Sequence, residues 1–306
     1  MSRPILAGYD PRRGDYAPVA LGALLARLTG ASLLVVAVER SGSDADSDLV
    51  GDCARALGQV EVELRAAHVR ADCVRLRSTS AARALDELAE HEEAGMLVVG
   101  SARSAGVGRV FAGSTAMRLL HGAPCPVAVT PSGWDAKRPP AVIGVAYVDS
   151  EHGRDALHGA CALARRIGAR VRVVTAVPHT ETMHLEVDPP IAPVVYKRDV
   201  VAVEGEHRLE AERRLRMVVS GLDGGVSVEA EALSGDPADV LVDFSKAVDL
   251  LAMGSRGYGP VRAVLLGSVS RRVMSEAHCP AIVVPRGVAG ALEALLERAP
   301  AESART

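Results

Sequence analysis

Aromatic side chains are scarce in this 306-residue chain: Trp134, Phe111, Phe244 and five tyrosines make up 3% of it. A core long enough for two ordinary domains must therefore be built from Ala, Val and Leu, as suits parallel strands covered by helices. No apolar run reaches membrane-spanning length, and the start MSRPILAGYD lacks a signal-type apolar segment, so a cytoplasmic protein without membrane insertion is expected. Basic and acidic residues nearly cancel, 35 against 38, which gives no reason to expect nucleic acid or an anionic surface as partner. Five cysteines with no CxxC spacing argue against a disulfide framework and a zinc site. Cys125 and Cys279 each precede a proline at the start of an apolar strand, and read as small buried hydrophobes rather than redox sensors. HExxH, GxSxG and the kinase motifs are all missing, so no catalytic residues are assigned.

What is present is concentrated in residues 249–285, DLLAMGSRGYGPVRAVLLGSVSRRVMSEAHCPAIVVP. Asp249 to Met253 is too short and apolar for a helix and predicts a buried parallel strand. Gly254, Gly257 and Gly259 then loosen the backbone, Gly267 and Ser268 open a helix with Ser268 as N-cap, and AIVVP is a second buried strand. Free N–H groups at a helix start, beside hydroxyls, form an anion site suited to phosphate.

The spacing is neither a P-loop, which needs Gly-Lys-Ser/Thr, nor a GxGxxG fingerprint. Gly254, Gly257, Gly267 and Ser268 instead resemble the Gly-x2-Gly-x9-Gly-Ser/Thr signature of ATP-binding universal stress protein domains, as do the flanking words GSRG, LGSVS and CPAIVVP.

The unit occurs twice. Gly100, Gly113 and Pro126 precede Gly254, Gly267 and Pro280 by 154 residues each, while Asp10 and Asp149, each closing a first strand, are 139 apart (149 − 10). The first copy predicts strands at 5–9, 32–38, 72–77, 96–99 and 127–130, with helices at 18–29, closed by Gly30, and at 49–69 and 81–91. A linker follows at 132–140, with Trp134 as a candidate plug against a domain. The second copy predicts strands at 142–147, 170–177, 226–232, 249–253 and 281–285 and helices at 153–167, 203–219, 238–247 and 268–278. Its extra residues fall in the proline-rich 178–199, expected to be a loop or lid, and a short helix over ALEALLERA is expected in the tail from Val288. Domains are thus expected at 1–131 and 141–287, with a tail at 288–306. Alternating strands and helices imply α/β architecture, with ligand crevices beyond the carboxyl ends of the strands.

The resemblance covers both copies and implies two doubly wound five-stranded parallel sheets of order 3-2-1-4-5, helices on both faces. It implies ATP as ligand, with Mg2+ on its phosphates. Carried over by position, the contacts are Asp149, Val177, Gly254, Gly257, Gly267, Ser268 and neighbouring Ser270, and in the first copy Asp10, Val38, Gly100, Gly113, Ser114 and Thr115. The first copy departs from the signature: Arg103 stands at the second glycine, with Gly106 and Gly108 nearby, and weakened binding is expected there. Arg103 could alternatively reach a phosphate. The family also implies pairing through last strands, here 127–130 with 281–284 within one chain; a homodimer of chains is left open. His179, His184, Glu181 and Glu186 match no metal spacing and read as solvated loop residues. The expected role is a nucleotide-dependent stress-response regulator and not an enzyme. The alternatives are a partner module that has lost ATP, a slow ATPase, and an adenylating enzyme.

Overall fold

The computed structural model describes residues 3–40, 47–102, 108–136, 138–179, 197–222, 224–255 and 267–285, with Gly290 and Leu292. The first copy contains β1 (Ile5–Tyr9), α1 (Ala17–Thr29), β2 (Leu33–Arg40), α2 (Ser47–Ala66), β3 (Ala71–Ser78), α3 (Ala81–His91), β4 (Met96–Gly100), α4 (Ser114–Gly122) and β5 (Val127–Thr130). The second contains β6 (Val142–Ala146), α5 (Glu151–Ile167), β7 (Arg170–Val177), α6 (Lys197–Ser220), β8 (Val228–Ser234), α7 (Pro237–Phe244), β9 (Leu250–Gly254), α8 (Ser268–Glu276) and β10 (Ala281–Val284).

The strands form one ten-stranded sheet of order β3-β2-β1-β4-β5-β10-β9-β6-β7-β8, so each half has the expected order 3-2-1-4-5. All pairings within a half are parallel; the seam between β5 and β10 is antiparallel, with Ile282 opposite Ala128. Seam pairing satisfies two edges that would otherwise be open templates for aggregation.

The continuous apolar strands are buried because helices cover both faces. Leu21 and Leu25 of α1, Leu57 and Leu64 of α2, Leu157 and Cys161 of α5 and Leu215 of α6 fill one side. Leu85 of α3, Leu119 of α4, Leu241 of α7 and Met274 of α8 fill the other. Two equivalent helices, α1 and α5, end on Gly30 (φ 79°) and Gly168 (φ 71°), whose N–H groups bond Ala26 and Ala164 carbonyls. The left-handed conformation is one that glycine adopts without a Cβ penalty.

The halves are joined beyond the seam. Arg166 of α5 donates to the Leu28 and Thr29 carbonyls, placing a cation on the negative end of α1. Val110 and Ala112 donate N–H groups to Ala277 and Met274, satisfying the carbonyl end of α8 from the other half. The second half is also anchored at its start, where Asp249 accepts from the Ala141 and Val142 N–H groups at 2.8 and 2.9 Å. The linker residue Trp134 is half-buried against the core, as expected of a plug.

Several boundaries differ from the sequence reading. Helix α6 starts at Lys197, so the last residues of the expected 178–199 loop are helical. The stretch 245–247 is a 3-10 turn ending α7, and α8 ends at Glu276 rather than at the Cys279-Pro280 pair. Helix α4 was not assigned from sequence. The rest of the insertion and all of the tail except Gly290 and Leu292 lie outside the described residues; Leu292 is buried, on Gly159 of α5.

Four cysteines are buried and Cys73 is half-buried, and among the described residues none forms a disulfide. Burial pushes the Cys125 and Cys279 thiols up to about 12. The folded chain therefore keeps a proton that the unfolded chain releases at its ordinary thiol range, and stability should fall as pH rises past about 9. Urea melts at pH 8 and 10 would read this. Both thiols should also resist Ellman's reagent at pH 8 until the protein unfolds, and fast native labelling of either would contradict the burial.

Candidate functional site

Each half places its connectors at the carboxyl ends of the strands, around the point where order reverses: between β1 and β4, and between β6 and β9.

In the second half Ser150 caps α5, its hydroxyl accepting from Gly153 N–H at 3.1 Å. The turn is tight: a Cβ on Gly153 would lie 2.0 Å from the Val148 carbonyl oxygen. Across the crevice a Cβ on Gly254 would lie 2.7 Å from the His152 carbonyl, so that glycine allows β9 to end against α5. Ser255 follows, 2% exposed, its N–H donating to Val284. Among the described residues the Ser255 hydroxyl and the His152 Nδ1 are buried without a hydrogen-bond partner. Such groups cost free energy until something satisfies them.

Helix α8 begins beside this loop. Its N-cap is Gly267, not Ser268 as expected from sequence; Ser268 is the first helical residue, and no side chain caps the end. Arg271 makes the first intrahelical bond, to Gly267, leaving the N–H groups of 268–270 unused within the helix. Ser270 is buried on that turn and Ser268 is exposed. Gly257 lies outside the described residues.

Strand register changes two equivalences expected from sequence. Ile5 pairs with Leu33 and Met96, while Ile143 pairs with Val171 and Leu250, so the first strands match at 138 residues (143 − 5), not 139. Asp10 is thereby equivalent to Val148, and Val38 to Ala176; Val177 corresponds to Glu39. Val148 is 49% exposed. Asp149 is turned away into an ion pair with Arg154 at 2.6 Å and accepts from the Tyr147 hydroxyl at 3.3 Å. Burial, with Asp149 close by, raises the Tyr147 phenol above its ordinary range. At the end of β7, the Val177 carbonyl accepts from Gly235 N–H at 3.0 Å. Asp236 caps α7 through the Ala238 and Asp239 N–H groups and faces Arg272 at 3.5 Å.

The first half is arranged differently. Its β1–α1 connector has seven residues against four between β6 and α5. Asp10 folds into this connector, its carboxylate accepting from Arg12 N–H at 3.1 Å and its carbonyl from Arg13 and Gly14. The Arg13 guanidinium crosses the crevice to the Ser101 carbonyl. Asp15 accepts from Ala17 and, at 3.5 Å, from Gly133 of the linker, and Gly108 N–H donates to Ser132. Linker and connector thus lie together over the loop after β4. Ser101, equivalent to Ser255, is fully used: it donates to Thr130 at 2.7 Å and accepts from Phe111 at 2.9 Å. A Cβ on Gly100 would meet Pro18 at 3.1 Å and one on Gly113 would meet Ala102 at 3.0 Å, so both serve close packing. Gly113 is also the N-cap of α4, with Ser114 and Thr115 on its first turn; Val38 packs on the core. Arg103 and Gly106 lie outside the described residues.

Sequence reasoning missed Arg13, Val148, His152 and Ser255. The length of the PRRGDY connector was the available signal for the first. A one-residue slip in matching GYD to YVD concealed the second. Among the described residues no His, Cys, Asp and Glu cluster could hold a metal ion, and His179 instead pairs with Glu204 at 3.3 Å. His184, Glu181 and Glu186 lie outside the described residues.

Fold and crevice place the chain in the doubly wound α/β class, in a tandem form with one sheet shared by two halves. The universal stress protein family model matches residues 1–131 and 141–285, and the chain belongs to that family. It is 31% identical over 214 residues to universal stress protein Rv2319c of Mycobacterium tuberculosis, covering 68% of this chain and 70% of that one. A Thermus aquaticus universal stress protein is 33% identical over 142 residues, 46% of this chain and 95% of its own. Among solved structures, a universal stress protein from Archaeoglobus fulgidus superposes with a TM-score of 0.67 at 18% identity, over 94% of this chain and 100% of that one. No described helix is long and apolar enough to cross a membrane.

Proposed function

We propose that this chain is a nucleotide-dependent stress-response regulator that binds one ATP, in the second crevice. The observation that carries the reading is the start of α8, a glycine N-cap with unused N–H groups at 268–270, together with the buried unpartnered Ser255 hydroxyl at the end of β9, the strand that precedes that helix. A triphosphate supplies the acceptors that these donors lack, at the positive end of a helix dipole. The first half has the same kind of helix start, α4 with Gly113 as an uncapped N-cap, but there Ser101 is satisfied and Arg13 already reaches the Ser101 carbonyl, with Asp15 Oδ2 a buried carboxylate oxygen close to Gly100 that would repel a phosphate.

Mg2+ would arrive with the nucleotide. The residues present do not fit a protein-held ion: the carboxylate position at the end of β6 is Val148, and Asp149 is bound to Arg154. Nothing among the described residues places a general base against a terminal phosphate, and the reading is binding without efficient turnover.

The test is the nucleotide content of purified protein, by acid release and chromatography, together with Mg-ATP binding. One ATP per chain is expected, falling at least about tenfold in occupancy or affinity in Gly267→Ala, where a methyl crowds the phosphate approach. Two per chain would show that the first crevice binds as well. None, with no binding of added Mg-ATP, would leave a partner module. ADP formation above the Gly267→Ala background would favour a slow ATPase.

A further inference from the structure

The crevice opens where strand order reverses, between β9 and β6, so a nucleotide whose phosphates rest on the start of α8 and that fills this crevice extends over the ends of β6 and then β7. The residue closing β6 therefore lies under the ribose and base. Alternation places Ala146 on the face covered by α7 and α8 and Tyr147 on the opposite face. The next residue, Val148, returns to the α8 side, half-exposed. In the first half the same register position is Asp10.

This substitution removes the acceptor. The ring edges of adenine and guanine both present N–H donors, and a site tells them apart by acceptors placed against those donors. At this end of the second crevice the side-chain candidates are engaged: Asp149 with Arg154 and Tyr147, Asp236 with the α7 N–H groups and Arg272. The Val177 and Val148 carbonyls each already accept one bond, from Gly235 N–H and from the Ser150 hydroxyl at 3.4 Å, and main-chain carbonyls offer the same acceptor to either purine. The side chains left on that face are apolar, Val148 with half-buried Ala176.

We propose that Val148 makes the second crevice read the triphosphate rather than the base, so that it takes purine nucleoside triphosphates with little discrimination between adenine and guanine. This rests on nucleotide binding at the second crevice. A ring held by apolar contact is worth a similar free energy whichever edge it carries, whereas a hydrogen-bonded edge separates analogues by orders of magnitude.

Calorimetric titration of the full chain with ATP and with GTP tests it, alongside Val148→Asp and Val148→Ala. The expected result is wild-type affinities for ATP and GTP within about fivefold, a ratio that Val148→Ala leaves unchanged. Val148→Asp, which restores the residue type of the first half at an exposed position, should shift that ratio by about tenfold or more. A wild-type preference for ATP above about a hundredfold, or a ratio indifferent to Val148→Asp, would overturn the inference while leaving ATP binding intact. Failure of the wild type to bind either nucleotide would overturn both readings.

Discussion

Placing a carboxylate at the seam, Ala128→Asp, should destabilise the entire chain by about 4 kcal/mol or more. Ala128 and Ile282 face each other across the antiparallel pairing of β5 with β10, at 0% and 1% exposure. An ionised side chain there would be buried without a partner on the described apolar face, which also carries Val98 and Ala252 on the neighbouring strands. Relief by protonation still leaves an unsatisfied carboxyl and a crowded ladder. For a protein of this size the melting temperature should drop by about 8 °C or more. Because β5 and β10 belong to different halves, calorimetry should show both halves losing stability together. Val62→Asp adds the same charge at a side chain 64% exposed and should shift stability by less than about 0.5 kcal/mol. A seam variant as stable as that control would mean that the halves do not depend on their shared strands.

Gly153→Ala is expected to cost about 3 kcal/mol and to abolish nucleotide binding as well. Its methyl group would lie 2.0 Å from the Val148 carbonyl, a main-chain atom that cannot rotate aside. Relief requires the β6–α5 turn to open, which also breaks the bond from Gly153 N–H to the Ser150 cap, itself worth about 1 kcal/mol. The turn carries Val148 on one side and His152, against Gly254, on the other. Opening it therefore displaces both walls of the crevice. Urea denaturation and ATP titration of the variant under native conditions measure the two effects separately. Gly205→Ala, on α6 with no atom within 4 Å of the added methyl, should do neither.

Much of this architecture was legible because parallel strands buried on both faces leave continuous apolar words, such as ILAGY and MLVVG, between helical stretches. The 154-residue repeat then fixed the matching of β4 with β9 and β5 with β10. Pairing of β5 with β10 came from the resemblance, and the sheet bears it out. Helix ends were less legible, since Ser268 is as good an N-cap as any by type, yet the helix starts on it and Gly267 takes the cap position without a side-chain bond. The site residues were read by position, and position failed by one where a connector differs in length. A strand's register is set by hydrogen bonds to its neighbours, and neither AYVD nor GYD reveals which residue lies against Leu250. Arg13 was invisible for a related reason: its carbonyl partner at Ser101 is distant in sequence and carries no side-chain signature.

The antiparallel seam has one more consequence. Two identical subunits joined through their last strands would carry every substitution in both crevices at once, so one could not be closed without closing the other. Covalent linkage lifts that constraint. The seven-residue connector and Arg13 then bridge one crevice, while behind the shorter turn the Ser255 hydroxyl of the other stays unpartnered. One half is free to become scaffold, holding the far end of α8 through Val110 and Ala112, while the other keeps a different set of contacts. Division of labour of this kind is open only to a molecule whose symmetry can be broken.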